Sequence, residues 1–218
     1  VVLAATITQT NNILCFGDAD GQLTGTITGG TANYNYDWGT TLNGTEVADV
    51  NNTGLTNATQ SNLVPDEYFL TVTDANGCIA RHTFTITQPA VLAVTITQTN
   101  NIDCFGDADG QLTGTITGGT STYNYDWGTT LNGTEVADVN ASTSLTNVTP
   151  SNLVPDEYFL TVTDANGCIA RHDFTITQPT AALTAASSNV STNLDCFDDN
   201  DGTFTITGSG GTTNYTYS

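Results

Sequence analysis

The stretch from Thr6 to Thr31, TITQTNNILCFGDADGQLTGTITGGT, returns from Thr95 to Thr120 with a single difference, Asp103 in place of Leu14. YNYDWGTTLNGTEVADVN and SNLVPDEYFLTVTDANGCIARH recur intact, so the period is about 90 residues, the size of one small sandwich domain. A chain built this way folds as a series of units, each with its own core. A third, more diverged copy starts near Thr180 and keeps Asp195-Cys196-Phe197, Asp201-Gly202 and Asn214-Tyr215-Thr216-Tyr217. The expected division is residues 1–89, 90–179 and 180–218. The last copy stops before its Trp, and half a sandwich cannot close a core, so the natural protein is expected to continue.

Apolar residues alternate within each copy, the period of a half-buried strand. Leu3, Ala5 and Ile7 share one face, as do Leu23, Gly25 and Ile27, and Tyr34, Tyr36 and Trp38. Tyr68, Leu70 and Val72 line a later strand, and Phe84 and Ile86 the last. Asp20-Gly21, Gly29-Gly30, Asn43-Gly44 and Asn76-Gly77 supply turn residues that tolerate positive φ. Leu63-Val64-Pro65-Asp66-Glu67-Tyr68 has the form of a tyrosine corner, in which a Tyr at a strand start bonds back to the upstream loop. The fold class that follows is all-β: tandem immunoglobulin-like (PKD-like) antiparallel β-sandwich repeats. The joint Thr87-Gln88-Pro89-Ala90-Val91-Leu92 is short and holds no Gly or Ser run, so the repeats are expected to stack as a rod.

Charge removes whole classes of partner. Lysine is absent, only Arg81 and Arg171 are basic, and 22 carboxylates bring the formal charge to -20. Nucleic acid is excluded, because phosphate binding needs basic side chains to displace counterions. Docking on an anionic membrane is disfavoured on the same ground. No apolar run is long enough to cross a bilayer, so no direct membrane insertion is expected. The chain has neither an initiating Met nor a leader-like segment, as expected for the interior of a longer, processed protein.

Taken in order, Cys15-Phe16-Gly17, Asp20-Gly21, Gly29-Gly30, Tyr34 to Trp38, Leu63 to Tyr68, Val72 to Cys78 and Ile86 to Pro89 form a spaced set that recurs in the second copy. The set resembles the SprB repeat of Bacteroidota gliding-motility and surface adhesins. The third copy matches in its first half. The resemblance implies a very long secreted adhesin, exported by the type IX system and displayed as a filament on the outer membrane, with no enzyme activity. The Asn- and Thr-rich insert between Trp38 and Leu63 is longer than such a repeat needs.

Five cysteines in an extracellular setting point to disulfides. Cys15 precedes the second strand, whereas Cys78 follows the final hairpin turn at the opposite pole. A seven-residue strand is about 23 Å long, but bridged Cα atoms lie within about 7 Å. Cys15 is therefore expected to meet Cys168 of the next copy, leaving Cys78, Cys104 and Cys196 to pair outside this window. One bridge inside each repeat and free thiols remain open alternatives.

Asp18-Ala19-Asp20-Gly21 has part of a calcium loop, but Phe16 stands at the first ligand position and no closing Glu follows. A looser Ca²⁺ site made of Asp18, Asp20 and Asp164 is the metal candidate; the alternative is that Asp74 and Asp164 simply cap their hairpins. No other cofactor is implied. His82 and His172 lack a second ligand at useful spacing, and no nucleophile motif, phosphate loop or paired-carboxylate signature is visible. The parity of Tyr34, Tyr36 and Trp38 places them in the core, not on sugars. Phe69 and Phe159 have the opposite parity and are expected at the surface, over a loop or a neighbouring chain. Asn51 and Asn140 lead a set of Asn-x-Ser/Thr sequons open to glycosylation.

The function expected from these readings is non-enzymatic. The repeats act as rigid spacers in the shaft of an extracellular bacterial cell-surface adhesin or filament serving adhesion or gliding motility, in contact with neighbouring repeats. The alternatives are a module binding surface polysaccharide and a subunit of a self-assembling fibre.

Overall fold

The computed structural model describes residues 1–40, 46–54, 56–129, 135–143, 147–188 and 204–218. The side chains of 46–53 and 135–143 are outside that description, as are Gly44 of the expected Asn43-Gly44 turn and Cys196. The described residues contain no helix. The chain divides into two compact units, one of Val1–Ala93, Thr117–Ser121 and Thr163–Ile169, the other of Val94–Ile116, Thr122–Val162 and Ala170–Ser218. These units do not coincide with the sequence copies, because residues 90–93 and the segments Thr117–Ser121 and Thr163–Ile169 of the second copy belong to the first unit.

The first copy is seven strands: β1 (Ala4–Asn11), β2 (Gly21–Thr28), β3 (Tyr34–Thr40), β4 (Glu46–Thr53), β5 (Asn57–Leu63), β6 (Asp66–Thr73) and β7 (Ile79–Ile86). They form two antiparallel sheets, ordered β1-β2-β5 and β4-β3-β6-β7. One core cluster draws on both sheets. Ala5, Ile7, Leu23 and Ile27 meet Tyr34, Tyr36, Trp38, Tyr68, Leu70, Val72 and Ile86, and Trp38, Leu23, Leu70 and Val72 are fully buried. Full burial of each large aliphatic side chain contributes about 1.5–3 kcal/mol, which is why the period-2 pattern fixes the register. Gly25 lets the sheets close. A Cβ there would overlap Leu70 and come within 2.9 Å of the Trp38 ring.

The Asn- and Thr-rich insert supplies two strands that alternation does not reveal. β4 runs antiparallel to β3 and β5 antiparallel to β2, so each sheet gains a border strand. Only Ala58 and Leu63 of β5 are buried, which leaves too little apolar pattern to read. A second difference concerns Asp20-Gly21. Gly21 opens β2 without a positive φ and is needed because a Cβ would stand 2.8 Å from the Leu63 carbonyl oxygen; the positive φ of this loop, 88°, falls on Gly17.

The second copy repeats the plan with β8 (Ala93–Asn100), β9 (Gly110–Thr117), β10 (Tyr123–Thr129), β11 (Glu135–Thr143), β12 (Asn147–Val148), β13 (Ser151–Leu153), β14 (Asp156–Thr163) and β15 (Ile169–Ile176). The β5 counterpart is split into β12 and β13 around Pro150, where the first copy has Gln60. Proline has no N–H for the ladder and is tolerated here because this strand is a sheet border. The Pro150 carbonyl still accepts from Leu112 N–H at 3.2 Å. Beyond it, β16 (Thr184–Ser188) and β17 (Thr205–Ser209) pair antiparallel. Tyr215 donates its hydroxyl to the Gly210 carbonyl at 2.6 Å, as Tyr34 does to Gly29 at 2.7 Å.

Candidate functional site

The tyrosine corners are formed. Tyr68 donates its hydroxyl to the Val64 carbonyl at 2.9 Å and Tyr158 to Val154 at 2.8 Å. Burial, followed by the charge of Asp66, pushes the Tyr68 hydroxyl above its ordinary pKa, so it remains a donor. Phe69 lies on the outer face, where its ring covers Gly39 of its own sheet and carries the Arg81 guanidinium 4.4 Å from its centroid. Phe159 does the same with Gly128 and Arg171, at 4.0 Å. Arg171 also pairs with Asp173 at 2.7 Å; the first copy has Thr83 there.

The β6–β7 hairpin is organised by one buried carboxylate. Asp74 accepts the N–H groups of Asn76 at 2.9 Å and Cys78 at 2.8 Å through Oδ1, and that of Thr31 at 2.9 Å through Oδ2. These donors, Thr31 first and Cys78 next, hold the Asp74 carboxyl below its ordinary pKa against the opposing effect of burial. Asp164 repeats the arrangement with Asn166, Cys168 and Thr120 at 2.9, 2.9 and 2.8 Å. Oδ1 of each carboxylate is thus engaged by the backbone of its own hairpin, and Oδ2 by the loop between β2 and β3 in the first copy and between β9 and β10 in the second.

Within the first unit the structure joins Cys15 to Cys168 by a disulfide, with Cα atoms 5.7 Å apart and 153 positions between them in sequence. Two amide side chains brace it. Gln88 accepts Gly17 N–H at 2.7 Å and so fixes the Cys15-Phe16-Gly17 loop. Asn166 donates to the Leu14 carbonyl at 2.8 Å and to Thr120 Oγ1 at 3.0 Å. Sequence reasoning passed over both side chains, although Gln88 stands in the recurring Ile-Thr-Gln-Pro. Cys78 and Cys104 are exposed thiols.

Asp18, Asp20 and Asp164 are the calcium candidates. Asp18 donates its N–H to the Cys15 carbonyl at 3.2 Å, and Asp20 keeps one buried oxygen, Oδ1, without a hydrogen-bond partner. Among the described residues no group of three or more His, Cys, Asp or Glu is gathered as metal ligands. Asn51 and Asn140 lie on β4 and β11, with their side chains outside the described residues. An open cleft of about 430 Å³ adjoins Leu14, lined by Gln9, Asn12, Gln88, Thr120 and Asn166 together with aliphatic groups and Pro89. Its lining offers amides and hydroxyls but no titratable side chain. No helix among the described residues is long and apolar enough to cross a membrane.

Among solved structures, the chain is similar to a two-domain fibronectin type-III segment of chicken tenascin at 13% identity, covering 79% of this chain and 98% of that one, with a TM-score of 0.32. It is similar to the C-terminal 282-residue fragment of intimin, solved with the intimin-binding domain of its translocated receptor, at 14% identity, 80% and 66% coverage and a TM-score of 0.40. The BSP domain of a biofilm-associated protein matches at 18% identity, 80% and 30% coverage and a TM-score of 0.27, so the chain spans about a third of that protein. No curated protein matches. The family model for the SprB repeat matches residues 7–42, 96–131 and 188–218, one segment in each copy.

Proposed function

We propose that the chain is a load-bearing spacer in the shaft of an extracellular bacterial surface adhesin or filament that serves adhesion or gliding motility. The observation that carries this reading is the disulfide between Cys15 and Cys168, which closes a 153-position span of the chain into a covalent loop. A spacer must transmit tension without lengthening, and a cross-link over so long a span removes most of the chain from the load path. The SprB matches support an adhesin-type repeat, and the charge of -20 favours mutual repulsion between neighbouring fibres.

The test is a glycan array probed with the full chain. The spacer reading expects no glycan above background. Reproducible binding of one polysaccharide class, lost when Gln88 or Asn166 in the lining of the open cleft is changed, would replace it with the adhesive-module reading.

A further inference from the structure

The hairpin that presents Cys78 has the same parts as the one that presents Cys168. Asp74, Asn76, Thr31, Cys78 and Val2 stand where Asp164, Asn166, Thr120, Cys168 and Val91 stand in the second copy. The Asp clamp is identical in both, and Asn76 donates to Thr31 Oγ1 at 2.9 Å as Asn166 does to Thr120. The difference is the occupant. Asn166 also donates to Leu14, and Cys168 is bonded to Cys15, whereas Cys78 is a free, exposed thiol. Thr31, Asn76 and Cys78 are exposed where Thr120, Asn166 and Cys168 are half-buried. The complementary surface is also repeated. The Cys104-Phe105-Gly106 loop is held by Gln178, which accepts Gly106 N–H at 2.7 Å, the same bond that Gln88 makes to Gly17.

We infer that the Cys78 hairpin is a docking site whose occupant is a Cys-Phe loop from a second copy of this chain. The loop carbonyl preceding its cysteine accepts from Asn76, and its thiol forms a disulfide with Cys78. Ile79 and Ile169 are equally exposed, at 69% and 70%, so the joint depends on the disulfide and the amide contact, not on burying that side chain. A contact of this kind is heterologous, loop to hairpin, so a copy that accepts a loop still has a loop of its own to offer. This goes beyond the spacer reading and does not depend on it, since a chain that never links to another can still bear load.

Disulfide formation needs an oxidant, here oxidised glutathione. The loop thiolate attacks one of its sulfurs and expels a glutathione thiolate. The Cys78 thiolate then attacks the loop sulfur of the mixed disulfide and expels the second glutathione. Two protons and two electrons pass from the two cysteines to glutathione, which leaves as two thiols.

The test mixes two full-length variants in a glutathione redox buffer. The acceptor carries Cys104→Ser and Cys196→Ser, which leaves Cys78 as its free thiol; the donor carries Cys78→Ser. Non-reducing electrophoresis and peptide mapping should show a one-to-one adduct joining Cys78 to a Cys-Phe cysteine, in about tenfold excess over acceptor homodimer. Asn76→Ala in the acceptor should remove that excess while leaving the Cys15–Cys168 peptide intact. Acceptor homodimers in equal yield, Cys78 capped only by glutathione, or an adduct indifferent to Asn76→Ala would each overturn the inference.

Discussion

Asn166 donates its side-chain amide to the carbonyl of Leu14 across 2.8 Å, joining residues 152 positions apart. The side-chain amide of Asn76, its counterpart, donates to Thr31 Oγ1 within its own copy. Alanine at the two sites should therefore give unequal results. Asn166→Ala is expected to cost about 1 kcal/mol more than Asn76→Ala, the net worth of the one ordinary hydrogen bond to Leu14 that distinguishes them. Urea midpoints of the two variants with the disulfide intact provide the comparison, and equal midpoints would contradict the bracing role of Asn166.

Pulled from its two ends, the oxidised chain should withhold the residues between Cys15 and Cys168. At about 3.5 Å per extended residue, reduction should release about 540 Å of additional contour length from the 153-position span. Force-extension traces with and without reductant measure this directly. Identical contour lengths would show that the clamp is absent.

The Asp74 carboxyl has its pKa lowered by the Thr31 and Cys78 amides. Its folded value lies below the unfolded one, which is near the ordinary carboxyl value of 3.8, so the stability it contributes is fully present above that value. That contribution is lost as pH falls through the folded value. Asp74→Asn should weaken the chain at neutral pH and flatten its acid unfolding below about pH 4. Acid titrations followed by tryptophan fluorescence provide the check, and an unchanged slope would contradict it.

Gly25 lies under Leu70 and Trp38 with no room for a methyl group. Gly25→Ala should cost about 1–3 kcal/mol through overpacking, while Gly17→Ala acts through its positive φ, because a Cβ there meets nothing. Chemical denaturation of both variants, with Trp38 fluorescence reporting the core, separates the mechanisms. Only the Gly25 variant should shift the emission.

How much of this was legible in the sequence depends on where the apolar residues lie. β1, β2, β3 and β6 bury alternate side chains, and β7 half-buries Ala80, His82 and Phe84 before burying Ile86, so the two-layer core follows from parity alone. β5 buries only Ala58 and Leu63, and a border strand satisfied mainly by backbone pairing leaves no such trace. The tyrosine corner was readable because Leu63 to Tyr68 spells it locally. The cysteine arrangement turns on which pole each loop occupies, and pole follows from strand parity, so sequence can reach it. The bonds from Gln88 to Gly17 and from Asn166 to Leu14 are out of reach, because an amide at a loop has no period and its partner is set only by the finished fold.

Pro150 bears on how such a chain avoids confusing its own parts. Adjoining copies this alike invite strand exchange during folding, because a segment from one fits the vacancy in the other. The first copy offers an unbroken seven-residue border strand at Asn57–Leu63, whereas the second offers two short pieces around an imino acid. An exchange between them trades a continuous ladder for an interrupted one. That mismatch gives each segment a preferred home in an otherwise duplicated sequence.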